Sequence, residues 1–402
     1  MQKKLIALAV AGLVAAPAFA QSNVSIGGYL SLSYKNMKLG DINRNAAGVG
    51  GRGAAAVGFE QENRLDDDWN SRFWLTGSED IGGGNKVVFR VEQRLRLDDG
   101  SATGAGFAAG ESYIGLQTKD FGLFTAGRRH VFFTEGVMWD VVWGQSTSNF
   151  AYYGPIDQMF NGTYQNNLTR TNNLLTWQSP VWNGFKARLD YSFNPYGEEG
   201  RYAAANSDYN KGHLWGTTLN YDNGPLSLFL SYVSSKNEGR EGVAAALKVG
   251  TMFGNDWTGI KGGAKYNLAL GGGTLQLAAV VDQSKMKNVT IAAGAPNLVT
   301  DETLKRTSWI IPVKYITGPH TFSFSWTQAG KTSNIADSKA KMYNLGYQYA
   351  LSKRSYVGVN FAEVRNDDGA AYQIPLTGLL TGSALTYGEK ARVFSATLAH
   401  LF

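Results

Sequence analysis

The chain has 402 residues, no cysteine, a formal net charge of +6 and a high content of Gly (49), Tyr (20) and Phe (20). The absence of cysteine excludes a fold held by disulfides. The basic residues are dispersed and carry no fold signature of nucleic-acid binding, so no nucleic-acid partner is expected. No run of about 18 apolar residues follows the N-terminus, so no transmembrane helix is expected. The high content of glycine and aromatic residues suits a protein with a thin apolar outer surface around a polar interior.

The N-terminus has the three parts of a secretory signal peptide. Residues 1–4 carry two lysines, residues 5–14 are almost entirely apolar, and Ala18 and Ala20 are small residues in an Ala-x-Ala end. We predict a signal peptide over 1–20, cleaved after Ala20, and a single barrel domain over 21–402. Loss of two lysines with the peptide lowers the net charge from +6 to +4. A buried N-terminal helix is the alternative interpretation.

Alternation of apolar and polar residues is the dominant pattern along the rest of the chain. It is clearest over 185–194, 226–232, 320–327 and 343–349, where Phe, Leu, Tyr and Trp alternate largely with polar residues or glycine. A period of two predicts strands with two different faces. No stretch shows a comparable helical period.

Short turn segments rich in Gly, Pro, Asn or Asp separate pairs of these strands. They occupy 80–85, 119–122, 179–184, 222–225, 271–273, 317–320 and 351–354. Seven hairpins, one earlier strand (24–34) and one final strand (390–402) make 16 strands. The connections between hairpins are long and polar, and we predict them over 35–70, 98–110, 131–170, 195–212, 235–256, 284–306, 330–341 and 366–389.

This arrangement predicts an all-β fold, a 16-stranded antiparallel transmembrane β-barrel with short periplasmic turns and eight long outside loops. Such barrels have an even strand number and strands that face lipid and lumen alternately. Closure of the barrel pairs every backbone group within the bilayer. A soluble β-sandwich also alternates, but the eight long loops disfavour it.

Arginines are concentrated on the polar face of two strands and at the end of a third. An arginine on the lipid face near the midplane costs about 2–4 kcal/mol, so an inward position is favoured. The pore-lining candidates are Arg72, Arg90, Arg94, Arg96, Arg128 and Arg129. Charges stacked along a pore bias which ions pass, and here they predict a mild anion preference. Arg94 and Arg96 could instead lie in solvated loop bases.

Several segments, taken in their order and spacing, resemble the general porins of Gram-negative bacteria, especially the sixteen-stranded trimeric type. They are 71–84, 111–116 with 121–122 and 127–128, 173–180, 347–355 and 398–402. The resemblance implies passive diffusion of small hydrophilic solutes and ions through a water-filled pore in the outer membrane. It also implies a homotrimer in contact with lipids and lipopolysaccharide, assembled by periplasmic chaperones and the barrel-assembly machinery, without a cofactor.

The resemblance assigns roles to three further regions. Arg72 and Arg128 match lumen arginines that lie opposite an inward-folded third loop, and the terminal Phe402 matches an assembly signal. The third loop, about 131–170, offers Glu135, Asp140 and Asp157 as constriction candidates. The family's Pro-Glu-Phe-Gly-Gly sequence is absent from it, which leaves the constriction residues open.

Other functional classes find little support in the sequence. The four histidines are dispersed without metal-ligand spacing, and His130 with Glu135 is the only weak pairing for a catalytic base. We therefore expect no enzyme activity and no metal. Within the barrel interpretation, a substrate-specific porin or a poorly conducting receptor or adhesion barrel remains an alternative.

Overall fold

A computed structural model describes residues 23–40, 61–67, 71–102, 107–131, 170–195, 212–237, 256–291, 299–372, 374 and 388–402. The described residues form one sheet of 17 antiparallel strands. The predicted signal peptide and the three acidic candidates of the third loop lie outside these residues. No helix suited to crossing a bilayer occurs in the described part of the chain.

Every strand except the second and the last pairs with the next one along the chain. Their bounds are β1 Asn23–Gly40, β2 Gln61–Asp66, β3 Arg72–Gly82, β4 Asn85–Arg94, β5 Ser112–Thr118, β6 Gly122–Arg129, β7 Thr171–Gln178, β8 Phe185–Ser192, β9 Gly212–Asn223, β10 Leu226–Asn237, β11 Asp256–Leu270, β12 Gly273–Ile291, β13 Val299–Thr317, β14 His320–Ala329, β15 Ala340–Ala350, β16 Ser355–Asn366 and β17 Lys390–Leu401.

The sheet closes because β1 pairs along both of its edges. One edge pairs with β17, from Tyr29 opposite Leu401 to Gly40 opposite Lys390. The other edge pairs with β2 in its second half and with β3 in its first half. Since β2 and β3 together form a single wall element, the barrel has 16 strands, and the predicted fold class is confirmed.

A side chain bridges the break between β2 and β3. Ser71 Oγ accepts a hydrogen bond from the main-chain N–H of Ser31 and donates one to the Ser31 carbonyl, both at 3.1 Å. Both serines are buried. The hydroxyl thus satisfies the two backbone groups of β1 that lose their ladder partner here, as buried polar groups require.

Strand β8 shows how alternation separates the two faces of the wall. Leu189 is 51% exposed on the outer surface, whereas its neighbours Arg188 and Asp190 are buried on the inner side. Among the described residues no protein layer packs on the outward apolar side chains, as expected for a surface that lipid covers. The predicted two-faced strand is therefore confirmed for this segment.

All seven predicted short turns join consecutive strands, but two predicted loop ranges are wrong. The loop predicted over 35–70 is shorter, because β1 continues to Gly40 and β2 begins at Gln61. The loop predicted over 284–306 is also shorter, because β12 runs to Ile291 and β13 starts at Val299. The outward side chains near these strand ends are polar, so the apolar face that marks a lipid-facing strand is lost before the strand ends.

The last residue lies against the first strand. Gly28 and Phe402 exchange two main-chain hydrogen bonds of 3.1 Å each. A side chain at Gly28 would overlap the Phe402 ring, since a Cβ built there lies 2.1 Å from the ring. The terminal Phe402 therefore occupies a defined place on the outer side of the closing pair of strands.

Two turn glycines allow a test of how tightly the periplasmic hairpins pack. Gly82 and Gly122 both have positive φ angles, +88° and +84°, but a Cβ at Gly122 would lie 2.1 Å from the Gln178 carbonyl while one at Gly82 meets nothing. Gly122→Ala should therefore lower the free energy of unfolding by about 1–3 kcal/mol more than Gly82→Ala, which shares the φ strain without the overlap. Urea unfolding of the refolded barrel followed by tryptophan fluorescence measures both, and equal losses would contradict the packing argument.

Candidate functional site

Strands β3 and β4 bring three of the predicted arginines together on the inner wall. Arg72 lies opposite Arg94, and Arg90 lies further along the same face. Arg72 is also in register with Tyr29, whose side chain is fully buried on the inner side of β1. Alternation from Tyr29 therefore directs all three arginines inward.

A single acid, Glu92, connects two of these arginines. Its carboxylate accepts hydrogen bonds from Arg90 Nη2 at 2.7 Å and from Arg94 Nε at 3.3 Å. The Arg90 guanidinium also lies over the Trp74 ring, 4.5 Å from its centroid, in a cation–π contact. These contacts hold the arginines against the wall and leave the group with more positive than negative charge.

Arg129 and Arg188 extend the basic surface onto β6 and β8. Arg129 lies 4.4 Å from the centroid of the Tyr113 ring and donates to Thr125 Oγ1 at 2.8 Å. Arg188 pairs with Asp190 at 2.8 Å. Arg188 and Asp190 were not predicted as site residues, although the alternation over 185–194 places them on the polar face.

Arg128 was predicted to line the pore, but it does not belong to the inward group of arginines. Arg128 is in register with Ser112 and shares a strand side with the outward Phe124 and Ala126. It donates to the Ala109 carbonyl at 3.2 Å. Its neighbour Arg129 therefore takes the inward position on this strand.

Arg96 was also predicted to line the pore, but it lies beyond the end of β4. It pairs with Asp99 at 3.0 Å in a turn, which matches the alternative of a solvated loop base. Hydrogen bonds from Ser101 hold the pKa of the exposed Asp99 carboxyl below its usual value. Arg96 is thus part of an outside turn and is not brought to the group on β3 and β4.

Other parts of the inner wall carry further charged groups. Lys35 Nζ on β1 lies 3.0 Å from Asp66 Oδ2 on β2, and both side chains are almost completely buried. Lys261, Arg306 and Lys314 are buried on β11 and β13. At the inward positions of the described strands, basic side chains outnumber acidic ones.

The last loop reaches this wall through Tyr372. Its ring centroid lies 5.0 Å from the Arg306 guanidinium, and Arg306 Nη1 also donates to the tyrosine oxygen. Asn366 exchanges hydrogen bonds of 2.8 and 2.9 Å with the Tyr372 main chain. The loop segment after β16 is therefore folded inward at this point.

His130 follows β6, and its main chain contacts Glu111 and the β8 arginine Arg188. Its N–H donates to Glu111 Oε1 at 3.2 Å, and its carbonyl accepts from Arg188. The proposed partner of its ring, Glu135, lies outside the described residues. Among the described residues no cluster of three His, Asp or Glu side chains could hold a metal ion.

Sequence comparisons place this architecture beside known outer-membrane proteins. A family profile described as Gram-negative porin matches residues 7–369. Outer membrane porin protein 32 of Delftia acidovorans is 28% identical over 403 residues, which cover 100% of both chains. A further outer membrane porin protein, from Bordetella pertussis, is 25% identical over 323 residues, covering 71% of this chain and 74% of the relative.

Solved structures share the fold. An anion-selective porin from Comamonas acidovorans has a TM-score of 0.69 at 23% identity and covers 95% of this chain and 100% of its own. A trimer form of OmpT from Vibrio cholerae has a TM-score of 0.60 at 11% identity, covering 95% of this chain and 99% of its own. At these identities the structures show the architecture alone.

The Lys35–Asp66 pair offers a test of how the inner wall is stabilised. Asp66→Asn should lower the free energy of unfolding by about 3–5 kcal/mol, because it leaves the buried Lys35 ammonium without its carboxylate. The double variant Lys35→Met with Asp66→Asn should recover most of that loss, since both charges of the pair are then removed together. Urea titration measures both, with Lys38→Met on the outward side of β1 as the control. Equal losses in the single and double variants would show that the charge pairing is not the cause.

Proposed function

Since this chain belongs to the family of Gram-negative porins, which form pores in the outer membrane, we propose that its basic inner wall gives the pore a mild preference for small hydrophilic anions. The observation that carries the proposal is the group on β3 and β4, where Glu92 is shared by Arg90 and Arg94 while Arg72 lies on the same face. Arg129 and Arg188 continue the positive surface on β6 and β8. The solutes diffuse passively, so no cofactor and no catalytic residue is required.

The pairing explains why the preference is mild. A guanidinium paired with a carboxylate presents little net charge to a passing ion, and each acid on the wall cancels one base. The remaining excess of basic groups raises the local anion concentration inside the pore. The name of the Comamonas acidovorans structure, an anion-selective porin, supports this preference for a barrel of the same architecture.

Reversal potentials of the purified protein in planar bilayers under a potassium chloride gradient test the proposal. We expect chloride to be more permeant than potassium, and Glu92→Gln to raise the chloride-to-potassium permeability ratio because it removes the shared acid. Arg90→Gln with Arg94→Gln should lower the ratio. Lys119→Gln, in an exposed periplasmic turn, is the control and should leave the ratio unchanged.

The same measurement at two salt concentrations checks that fixed charge is the cause. The preference should shrink when the salt rises from about 0.1 M to about 1 M, because the Debye length falls from about 10 Å to about 3 Å. Marked potassium selectivity in the wild-type protein would overturn the anion proposal. A barrel that reconstitutes but does not conduct would favour the receptor or adhesion alternative.

We further propose that the protein assembles as a homotrimer. The trimer form recorded for the OmpT structure supports this, since that barrel has the same architecture. Light scattering coupled to gel filtration in a mild detergent should give a protein mass of three mature chains, and boiling in dodecyl sulfate should release monomers. A mass of one chain in several mild detergents would refute the trimer.

Three further roles rest on the sequence and are proposed on that basis. The leader over 1–20 is removed after Ala20, the chain end at Phe402 is read by the barrel-assembly machinery, and the acids Glu135, Asp140 and Asp157 lie at the constriction. Pairing of the Phe402 main chain with Gly28 supports the second role, because the chain end takes part in closing the barrel.

A further inference from the structure

A second polar surface lies on the inner wall formed by β11, β12 and β13, away from the arginines of β3 and β4. Four side chains there are buried, with exposed fractions of 1% for Asp282, 9% for Ser284, 0% for Ser308 and 4% for Arg306. Both carboxylate oxygens of Asp282, both serine hydroxyls, and Nε and Nη2 of Arg306 lack a hydrogen-bond partner within the described part of the protein. Buried polar atoms are rarely left in this condition, so another molecule is expected among them.

Strand register places these four side chains in two adjacent rows. Asp282 lies directly opposite Ser308, and Ser284 lies directly opposite Arg306. Asp282 and Arg306 are therefore diagonal neighbours on one face, at about 7–8 Å between their backbones. Within the described residues no ion pair joins them, and both oxygens of Asp282 lack a hydrogen-bond partner. Two side chains of opposite charge type thus lie on one face without a hydrogen bond between them, and we call the place between them the gap.

Tyr372 holds the Arg306 guanidinium in position on this part of the inner wall. Its ring and its oxygen engage one side of the guanidinium and Nη1, which leaves Nε and Nη2 for a further acceptor. Two adjacent guanidinium N–H groups match the two oxygens of a carboxylate. Lys261 lies opposite Asp282 on β11 and adds positive charge beside the same gap.

An apolar surface adjoins Asp282 and Ser308 on the other side of the gap. Val280 and Ile310 occupy the next inward positions toward the periplasm and lie opposite each other. With Phe229 on β10 they form a buried apolar cluster. A ligand that places a charged end between Asp282 and Arg306 can therefore pack an aliphatic side chain on this cluster.

We infer that this wall binds a small α-amino acid in its zwitterionic form, with an aliphatic side chain. The ammonium group donates to the Asp282 carboxylate and the Ser308 hydroxyl, the carboxylate accepts from Nε and Nη2 of Arg306, and the side chain packs on Val280, Ile310 and Phe229. The inference rests on the proposed function, because the amino acid must enter through the pore. It deepens that function, since a pore with such a site favours one class of solute.

The charges of the gap favour a zwitterion over a simple ion. An anion alone would gain Arg306 but would face the Asp282 carboxylate, which still lacks a donor. A monovalent cation would gain Asp282 but would face Arg306 and Lys261. A zwitterion satisfies both Asp282 and Arg306 at once.

Current block in a planar bilayer tests the site with three solutes of similar size: L-valine, 2-hydroxy-3-methylbutanoate and 2-methylpropylamine. We expect L-valine to interrupt the ion current in a concentration-dependent way and the other two to act at least roughly tenfold more weakly. Asp282→Asn and Arg306→Gln should each weaken the valine block by about tenfold, since each removes one charged contact.

Two comparison variants separate the site from general changes in pore charge. Asp190→Asn removes an acid from the other wall; it should shift ion selectivity while the valine block keeps its wild-type affinity. Asp120→Asn, in a periplasmic turn, should change neither quantity. If Asp282→Asn fails to fold, Ser308→Ala takes its place, and a valine block several-fold weaker supports the site.

The outcomes distinguish the site from the proposed function. If the pore prefers anions but valine has no effect, or if valine blocks Asp282→Asn as it blocks the wild type, the amino-acid site is wrong while the anion proposal stands. If the hydroxy acid blocks as strongly as valine, the wall does not recognise an ammonium group and the gap holds water or any small anion. If the protein does not conduct, both proposals fall.

Discussion

A membrane-spanning sheet has to satisfy every backbone N–H and C=O group without help from lipid, and the rest of this structure follows from that constraint. An open sheet would leave two unpaired edges in the bilayer, so the first and last strands must meet. Here β1 pairs with β17 along one edge and with β2 and β3 along the other. Closure in turn creates an enclosed inner face, and charged groups that lipid would exclude can be placed there.

The charged side chains of the inner face are arranged differently in two places. On β3 and β4 a shared acid and an aromatic ring contact the arginines, so their positive charge is only partly neutralised. On β12 and β13 the opposite charges of Asp282 and Arg306 are left apart, and hydroxyl groups beside them also lack partners among the described residues. The first arrangement acts on every passing ion through its field, whereas the second requires a molecule that fits. One pore can thus combine general permeation with recognition.

The strands could be predicted from the sequence more completely than the site, for physical reasons. Alternation follows directly from the contrast of lipid and water on the two faces, so hairpins such as the one at 271–273 can be recognised from single segments. The ends of β1 and β12 were missed because their outward side chains are polar, which removes the contrast. Arg188 and Asp190 have the right alternation, but together they are neutral and do not stand out as a basic group. The gap between Asp282 and Arg306 depends on cross-strand register and on the position of Tyr372, and neither follows from a local pattern.

The break between β2 and β3 has a consequence for how this wall can vary. Asp66 is paired with Ser33, and Arg72 is paired with Tyr29, so the chain uses six steps where β1 uses four. The excess of two is even, and inside and outside are therefore the same before and after the break. A shift of the pairing between β3 and β1 by one residue would turn Arg72 and Trp74 toward lipid and Phe73 toward water. The pairing of β3 with β1 can therefore shift only in steps of two residues if this wall is to keep its inner and outer faces.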